Sequence, residues 1–330
     1  MKNEHVQQIA QAVEAVKARL ATGGIHHVYF VACGGSQASL MPIQYLFNRE
    51  LTIPSHVYTS NEFNYATPKD FDANTLVITL SHSGTTPETV AAAQKATDAG
   101  AVSICVSHVE GSPLWQAGTN QVHYDHGPEA AFDEKNNAML LTLAFELLKV
   151  FAPEQTDRWE AGVQAVLRLA EFREDALAQY GERAAQWGSD NKREKIIYTM
   201  GSGANYGEMY STASCWFMEM QWINSNCIHS GEYFHGPFEI TDYDVPFLMI
   251  VSNGATRFLD ERARAFVTKF SKNVFVIDEQ DFKLPGVDPS VAEYIAPTVA
   301  GYVVRAMVES IAHHRGHSLD VRRYMWQMEY

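Results

Sequence analysis

A glutamate and a histidine sixteen positions apart, Glu219 and His235, are the residues of this sequence best suited to moving protons at neutral pH. Glu219 lies in an apolar run, Cys215-Trp216-Phe217-Met218-Glu219-Met220, which predicts a long helix carrying it into the interior. His235 follows in Gly231-Glu232-Tyr233-Phe234-His235-Gly236-Pro237, a loop by its glycines and proline. A carboxylate in apolar surroundings holds its proton more tightly and a histidine titrates near neutrality, so the two could serve as base and acid. A lone glutamate inside a helix is more often a structural group bonded to a neighbour, so the pair needs support from the rest of the chain.

That support comes from a second cluster, Ser81-His82-Ser83-Gly84-Thr85-Thr86-Pro87-Glu88-Thr89, which follows the apolar run Leu76–Leu80 and precedes a helical AAAQKA segment. Where a strand becomes a helix, backbone amides, short hydroxyls and the positive helix end can converge on a dianionic phosphate without any lysine. The same residues could be a plain helix cap. Ser36, in the turn Cys33-Gly34-Gly35-Ser36 after the run Ile25–Ala32, argues for the anion site. Two such turns at one sheet edge make the crevice in which open α/β sheets bind ligands.

The elements that must position these residues follow from periodicity. Residues 3–20 carry apolar side chains at helical spacing and stop at Gly23-Gly24. Strands are expected at 25–32, 76–80 and 102–106, at βαβ distances that imply a parallel sheet with helices on both faces. A helix spans 157–187. The second half then repeats the first in outline: strands at 196–200 and 246–251 precede Gly201-Ser202-Gly203-Ala204 and Ser252-Asn253-Gly254. The copies differ chemically, because Ala204 replaces Ser36 and SNGAT replaces SHSGTT, so only the first half is expected to keep an anion site. A further strand is expected at 274–277, a helix at 296–313, and an aromatic, charged tail at 322–330.

At 330 residues and 46% hydrophobic content the chain can bury two substantial cores. A formal net charge of −14 argues against nucleic acid as a partner. The four cysteines form no disulfide framework, and no signal peptide or long uncharged apolar segment stands out, so a reduced, cytoplasmic protein that does not bind membranes is expected. Cys215, Cys227, His229 and His235 fit no common zinc spacing, and no metal or cofactor is expected.

The turns ACGGSQAS and SHSGTTPET resemble the sugar isomerase (SIS) domain signature. Their tandem arrangement with EMQW and HSGEYFHGP is similar to the isomerase half of glucosamine-6-phosphate synthase. The YTMGSGANYG block and the RRYMW tail bring the chain closer still to the fructosamine-6-phosphate deglycase group, which includes the fructoselysine-6-phosphate deglycases. The resemblance covers nearly the whole chain. It implies an α/β fold of two tandem SIS subdomains, each a three-layer, flavodoxin-like parallel sheet flanked by helices, at 1–155 and 156–330. It implies phosphate contacts from Ser36, Ser81, Ser83 and Thr86, with His82 where the synthases have glutamine, and further substrate contacts from Gly35 and Glu62. Glu219 falls on the proton-abstracting glutamate, and His235 on a histidine that in the synthase comes from a neighbouring subunit. A homodimer or larger assembly with shared sites is therefore expected.

The chain carries no cysteine near its start for releasing ammonia from glutamine, and its tail lacks the lysine that forms an imine with the sugar in the synthase. A substrate already carrying its amine at C1 needs neither. The expected reaction is cleavage of a 6-phosphorylated Amadori product, such as fructoselysine 6-phosphate, to glucose 6-phosphate and a free amino acid. Two alternatives are a plain aldose–ketose phosphosugar isomerase and a non-catalytic phosphosugar-binding regulator.

Overall fold

Four of the nine strands among the described residues are buried along their whole length, as expected of parallel strands covered by helices on both faces. The computed structural model describes residues 1–329, which form two compact units. The first comprises Met1–Ala170 with Val287–Val291; the second comprises Glu171–Gly286 and the chain from Ala292. The expected boundary lay between residues 155 and 156; the units meet at Ala170 and Glu171.

In the first unit the order is α1 (Asn3–Thr22), β1 (His27–Ala32), α2 (Gly34–Glu50), β2 (Ser55–Thr59), α3 (Ser60–Tyr65) and β3 (Thr75–Leu80). It continues with α4 (Pro87–Asp98), β4 (Val102–Ser107), α5 (Pro113–Ala117), β5 (Asn120–His123), α6 (Asn136–Phe151) and α7 (Thr156–Val166). The five strands pair in parallel in the order β2-β1-β3-β4-β5. Alternation along β1 covers both faces. Tyr29 and Val31 pack with Val77, Phe63 and alanines of α4, while Phe30 meets Phe47 of α2 edge to face at 5.4 Å.

The second unit runs α8 (Leu169–Asp190, its first two residues counted with the first unit), β6 (Ile196–Gly201), α9 (Tyr206–Ser211), a π-helix (Thr212–Met220) and β7 (Asn224–His229). Then come β8 (Phe247–Val251), α10 (Arg257–Phe270), β9 (Val274–Asp278) and α11 (Ala292–Arg315). Its four parallel strands lie in the order β7-β6-β8-β9. One face packs on Ala263 and Val267 of α10 and on the buried Tyr233. Helix α11, expected at 296–313, is long and apolar enough by composition to cross a membrane, a property not noted in the sequence. Its apolar residues are spent on the core, with Ile295, Val299, Val303, Met307 and Ile311 all fully buried.

Both sheets therefore repeat one topology, in which the first strand of the unit is flanked by the second and the third. The crevice between the first and third strands, at their carboxyl ends, is where such a sheet offers a ligand site. The repeat extends to backbone detail. Gly34, after β1, has φ +56°, and Gly203, after β6, has φ +55°, a left-handed turn that only glycine adopts without strain.

Candidate active site

In the first unit the two expected turns leave adjacent strand ends, since Ala32 of β1 pairs with Leu80 of β3. Ser36 is half-buried in the first turn of α2, Gly35 beside it. No side chain caps α2 and no acidic residue occupies its first turn, so its positive end remains available to an anion. On the other turn, Ser81 is buried and its Oγ lies 2.9 Å from Thr86 Oγ1. Thr86 stands at the N-cap of α4, yet its hydroxyl caps nothing because it is engaged with Ser81. The plain-cap alternative is thus not what forms. Ser83 and Thr85 are exposed, their hydroxyls 2.7 Å apart. Between them Gly84 has φ +66°, and a Cβ there would meet Ser112 Oγ at 2.0 Å, so the turn closes only with glycine.

His82 sits on this turn with one edge in solvent and its Nδ1 2.8 Å from the Tyr124 hydroxyl. Its ring stacks on His108 at 5.2 Å and meets His126 at 4.5 Å. Partial burial, and then the two neighbouring imidazoles, hold its pKa below the ordinary histidine range. It is accordingly neutral at pH 7. Glu62 lies exposed in the first turn of α3, where its amide donates to Thr59 Oγ1; no side-chain bond fixes its carboxylate among the described residues.

In the second unit the corresponding turns carry no free cradle. Ser252 N–H donates to Asp260 Oδ2 (3.0 Å), Asn253 N–H to Glu279 Oε2 (2.9 Å) and Ala255 N–H to Glu293 Oε2 (3.0 Å). Ser202 Oγ donates to Asp260 Oδ1 at 2.7 Å. Three carboxyl groups of the chain itself thus occupy donors of these turns, whereas in the first unit Ser81 N–H donates to Val106 O and Thr85 N–H to Ser83 Oγ, with no carboxylate on the turn among the described residues. Burial raises the pKa of Asp260, against its bonds to the serines, and pushes that of Glu279 up to about 8.

Glu219 departs from expectation. It does not ride an α-helix into the interior: it stands near the end of the nine-residue π-helix, its side chain 23% exposed, on the wall of a cavity of about 710 Å3. A π-helix is wider and turns less per residue than an α-helix, a rare geometry that concentrates at functional sites. It buries Cys215 and Phe217 and brings Met218 and Glu219 outward. The turn ends at Trp222, held at φ +55°, an uncommon conformation for a bulky residue. Arg315 Nη2 donates to Gln221 O, and Gln221 Nε2 donates to His317 O, tying the end of α11 to this corner.

The chain after α11 then passes over Glu219. Arg322, only 6% exposed, brings Nε to 2.8 Å from Glu219 Oε1, an ion pair by distance with the N–H turned off the line to the oxygen. Arg322 Nη1 donates to Leu319 O at 2.6 Å, which holds the guanidinium in place. Arg323 lies 4.2 Å over the Trp222 ring, and Tyr324 completes this side of the cavity. Arg322 and Arg323 had been noted in the sequence only as part of a tail without lysine.

His235 ends a 3-10 turn, Tyr233–His235, with an exposed imidazole that makes no hydrogen bond among the described residues. Its loop is nonetheless rigidly founded. Tyr233 is fully buried and its hydroxyl lies 2.5 Å from Thr241 Oγ1, and Phe234, Phe238 and Phe266 pack edge to face around it. No bond or ion pair links His235 to Glu219 among the described residues. Cys215, Cys227, His229 and His235 are not drawn together as a ligand group there either.

Comparison with known proteins decides the family. The SIS domain profile matches residues 24–150. The chain is 42% identical over 324 residues to the fructosamine deglycase FrlB of Bacillus subtilis, covering 98% of both sequences. The chain belongs to the SIS-domain deglycase family. This deglycase-family chain is also 26% identical to the fructoselysine 6-phosphate deglycase of Escherichia coli, over 94% of its own length and 89% of the relative's. A crystal structure of a Bacillus subtilis protein named for phosphosugar isomerase activity superposes with a TM-score of 0.93 at 42% identity, over 98% of this chain and 100% of that one. Fold and membership agree with the expected architecture of two tandem SIS subdomains.

Proposed function

We propose that this chain cleaves a fructosamine 6-phosphate, a ketose phosphate with an amino acid on C1, to glucose 6-phosphate and the amino acid. The observation that carries the reading is Glu219 on an open cavity wall, in a chain 42% identical along its length to a fructosamine deglycase. Ser36, Ser81, His82, Ser83 and Thr86 hold the phosphate through neutral side chains, amides and two helix ends, with Gly35 a further substrate contact. His235 assists ring opening. The Glu219 carboxylate then removes a proton from C1 of the open-chain ketose while the C2 carbonyl oxygen takes up a proton, giving the enolamine; return of the proton at C2, with loss of the proton on nitrogen, gives the C1 aldimine. Water adds to C1, the C–N bond breaks, and aldehyde and amine leave; no metal or redox partner enters that balance. Arg322 orients Glu219 through Oε1. Arg323 offers its charge to the carboxylate of the departing amino acid, and Glu62 stays a candidate for a further sugar contact.

Incubation with fructoselysine 6-phosphate and with α-linked sugar–amino acid phosphates, followed by assay of glucose 6-phosphate, tests this reading. Release of glucose 6-phosphate with stoichiometric amine supports it. Interconversion of fructose and glucose 6-phosphates without amine release would instead make the chain an isomerase, as the name of the superposed structure suggests; binding without product would make it a regulator. We further infer a cytoplasmic homodimer or larger assembly whose sites combine residues of two subunits, for which the exposed, unpartnered His235 on a rigid base is the support.

A further inference from the structure

Away from these residues, the first unit brings together three side chains that the sequence separates widely. His5 Nε2 of α1 lies 3.1 Å from Nδ1 of His123, the last residue of β5, and 4.0 Å from Oδ1 of Asp125 just beyond it; His123 Nδ1 lies 3.7 Å from the same oxygen. We propose that His5, His123 and Asp125 form a binding site for one divalent transition-metal ion of the zinc type, clasping α1 to the edge strand β5.

Three arguments lead there. First, ligand atoms at about 2.0–2.2 Å from a tetrahedral zinc ion stand about 3.3–3.6 Å from one another. The three separations bracket that spacing without rearrangement of the backbone. Second, the outer ring nitrogens are already placed as metal-bound imidazoles require. His123 Nε2 lies 2.9 Å from the carbonyl oxygen of His108, an acceptor, so it carries the proton and leaves Nδ1 with its lone pair directed inward. His5 Nδ1 faces Glu134 Oε1 at 3.8 Å, the carboxylate that would receive its proton in a metal-bound form.

Third, without an ion the protons do not fit. With the His123 proton on Nε2, the 3.1 Å contact requires His5 to donate from Nε2. A neutral His5 then turns a bare Nδ1 lone pair toward a carboxylate oxygen. His5 is 1% exposed, and Nδ1 is buried with no hydrogen-bond partner. A doubly protonated His5 would fare little better, since 3.8 and 4.0 Å to Glu134 and Asp125 exceed hydrogen-bond length. An ion between the rings takes both inward lone pairs and returns Nδ1–H to Glu134. Lys2 engages Asp125 through the other oxygen, Oδ2, and leaves Oδ1 to the site.

The site is separate from the proposed chemistry, although His108, whose carbonyl receives His123, stacks on His82 of the phosphate turn. The test uses the full chain freed of metal by chelation and dialysis. Zn2+ is titrated in competition with a chromophoric chelator, and Co2+ is followed by its visible absorption. We expect one equivalent per chain, a four-coordinate Co2+ spectrum and a melting temperature that rises with Zn2+ but not with Mg2+. Asp125→Asn, which preserves shape, and His5→Gln each weaken Zn2+ binding by about 100-fold or more, beyond the roughly 10–100-fold typical of outer-shell changes. Failure of the wild-type chain to take up stoichiometric Zn2+ overturns the proposal, as does undiminished binding by Asp125→Asn. Should His5→Gln fail to fold, Asp125→Asn decides alone. Neither readout depends on the deglycase activity.

Discussion

Arg322 and Glu219 meet across 103 positions of sequence, and that encounter shapes what each substitution should do. Glu219→Gln keeps size and hydrogen-bonding capacity while removing the base, so turnover should fall by about 10²–10⁴-fold with far-UV circular dichroism unchanged. Arg322 contacts the Glu219 carboxylate, which in the proposed reaction makes it a positioning residue. Arg322→Ala should therefore lower kcat by about tenfold or more with a small change in KM, and Arg322→Lys should recover part of the loss. An unchanged kcat in Arg322→Ala would show that the ion pair does not orient the base.

At the scale of elements, the π-helix converts sequence position into direction. Each residue of an α-helix advances by about 100°, so removal of one residue, for example Ser214, would let the segment relax toward α-helical pitch and swing Glu219 away from its cavity wall. The expected outcome is a folded chain that releases no glucose 6-phosphate; full activity in that deletion would mean the unusual pitch is incidental. This geometry was not legible in the sequence, because apolar spacing from 212 to 220 does not distinguish one kind of helix from another. The inner strands were legible because both faces are buried and their residues read as continuous apolar runs. Strands β2, β5 and β7 were not: SHVYT, NQVH and NSNCIH lie at sheet edges, where one side lacks a partner and polar residues are tolerated. The turns at Ser36 and Ser81 could be read because glycine and hydroxyl residues cluster locally. The partnership of Glu219 with Arg322, and that of His5 with His123, join residues too distant for any spacing rule to connect.

For the whole molecule, the inferred assembly makes a quantitative demand. If Glu219 and His235 of one site come from different subunits, a mixture of the inactive Glu219→Gln and His235→Ala chains, dissociated and reassembled, regains one intact site in each hybrid dimer. Random pairing should restore about a quarter of wild-type activity; no recovery in verified hybrids would place both residues of a site on one subunit. Stability has its own pH signature. The Glu279 pKa of about 8 lies above its ordinary value of 4.5, so the folded chain holds a proton the unfolded chain has lost. Its contribution is fully present below about pH 4.5 and is lost as pH rises through 8. Glu279→Gln should remove that slope. Denaturant unfolding at pH 5.5 and pH 8 should show the variant losing less stability than the wild type across the interval, by about 1 kcal/mol or more.

The acids folded onto the turns of the second unit have a consequence for how a duplicated fold diverges. Glu293, Glu279 and Asp260 plug the second-unit turns with groups that cannot diffuse away, so under the proposed function only the turns of the first unit are left to take a phosphate ester. The duplicate is thereby released from ligand duty and free to specialise as the mount for Glu219, at no cost in stranded amides.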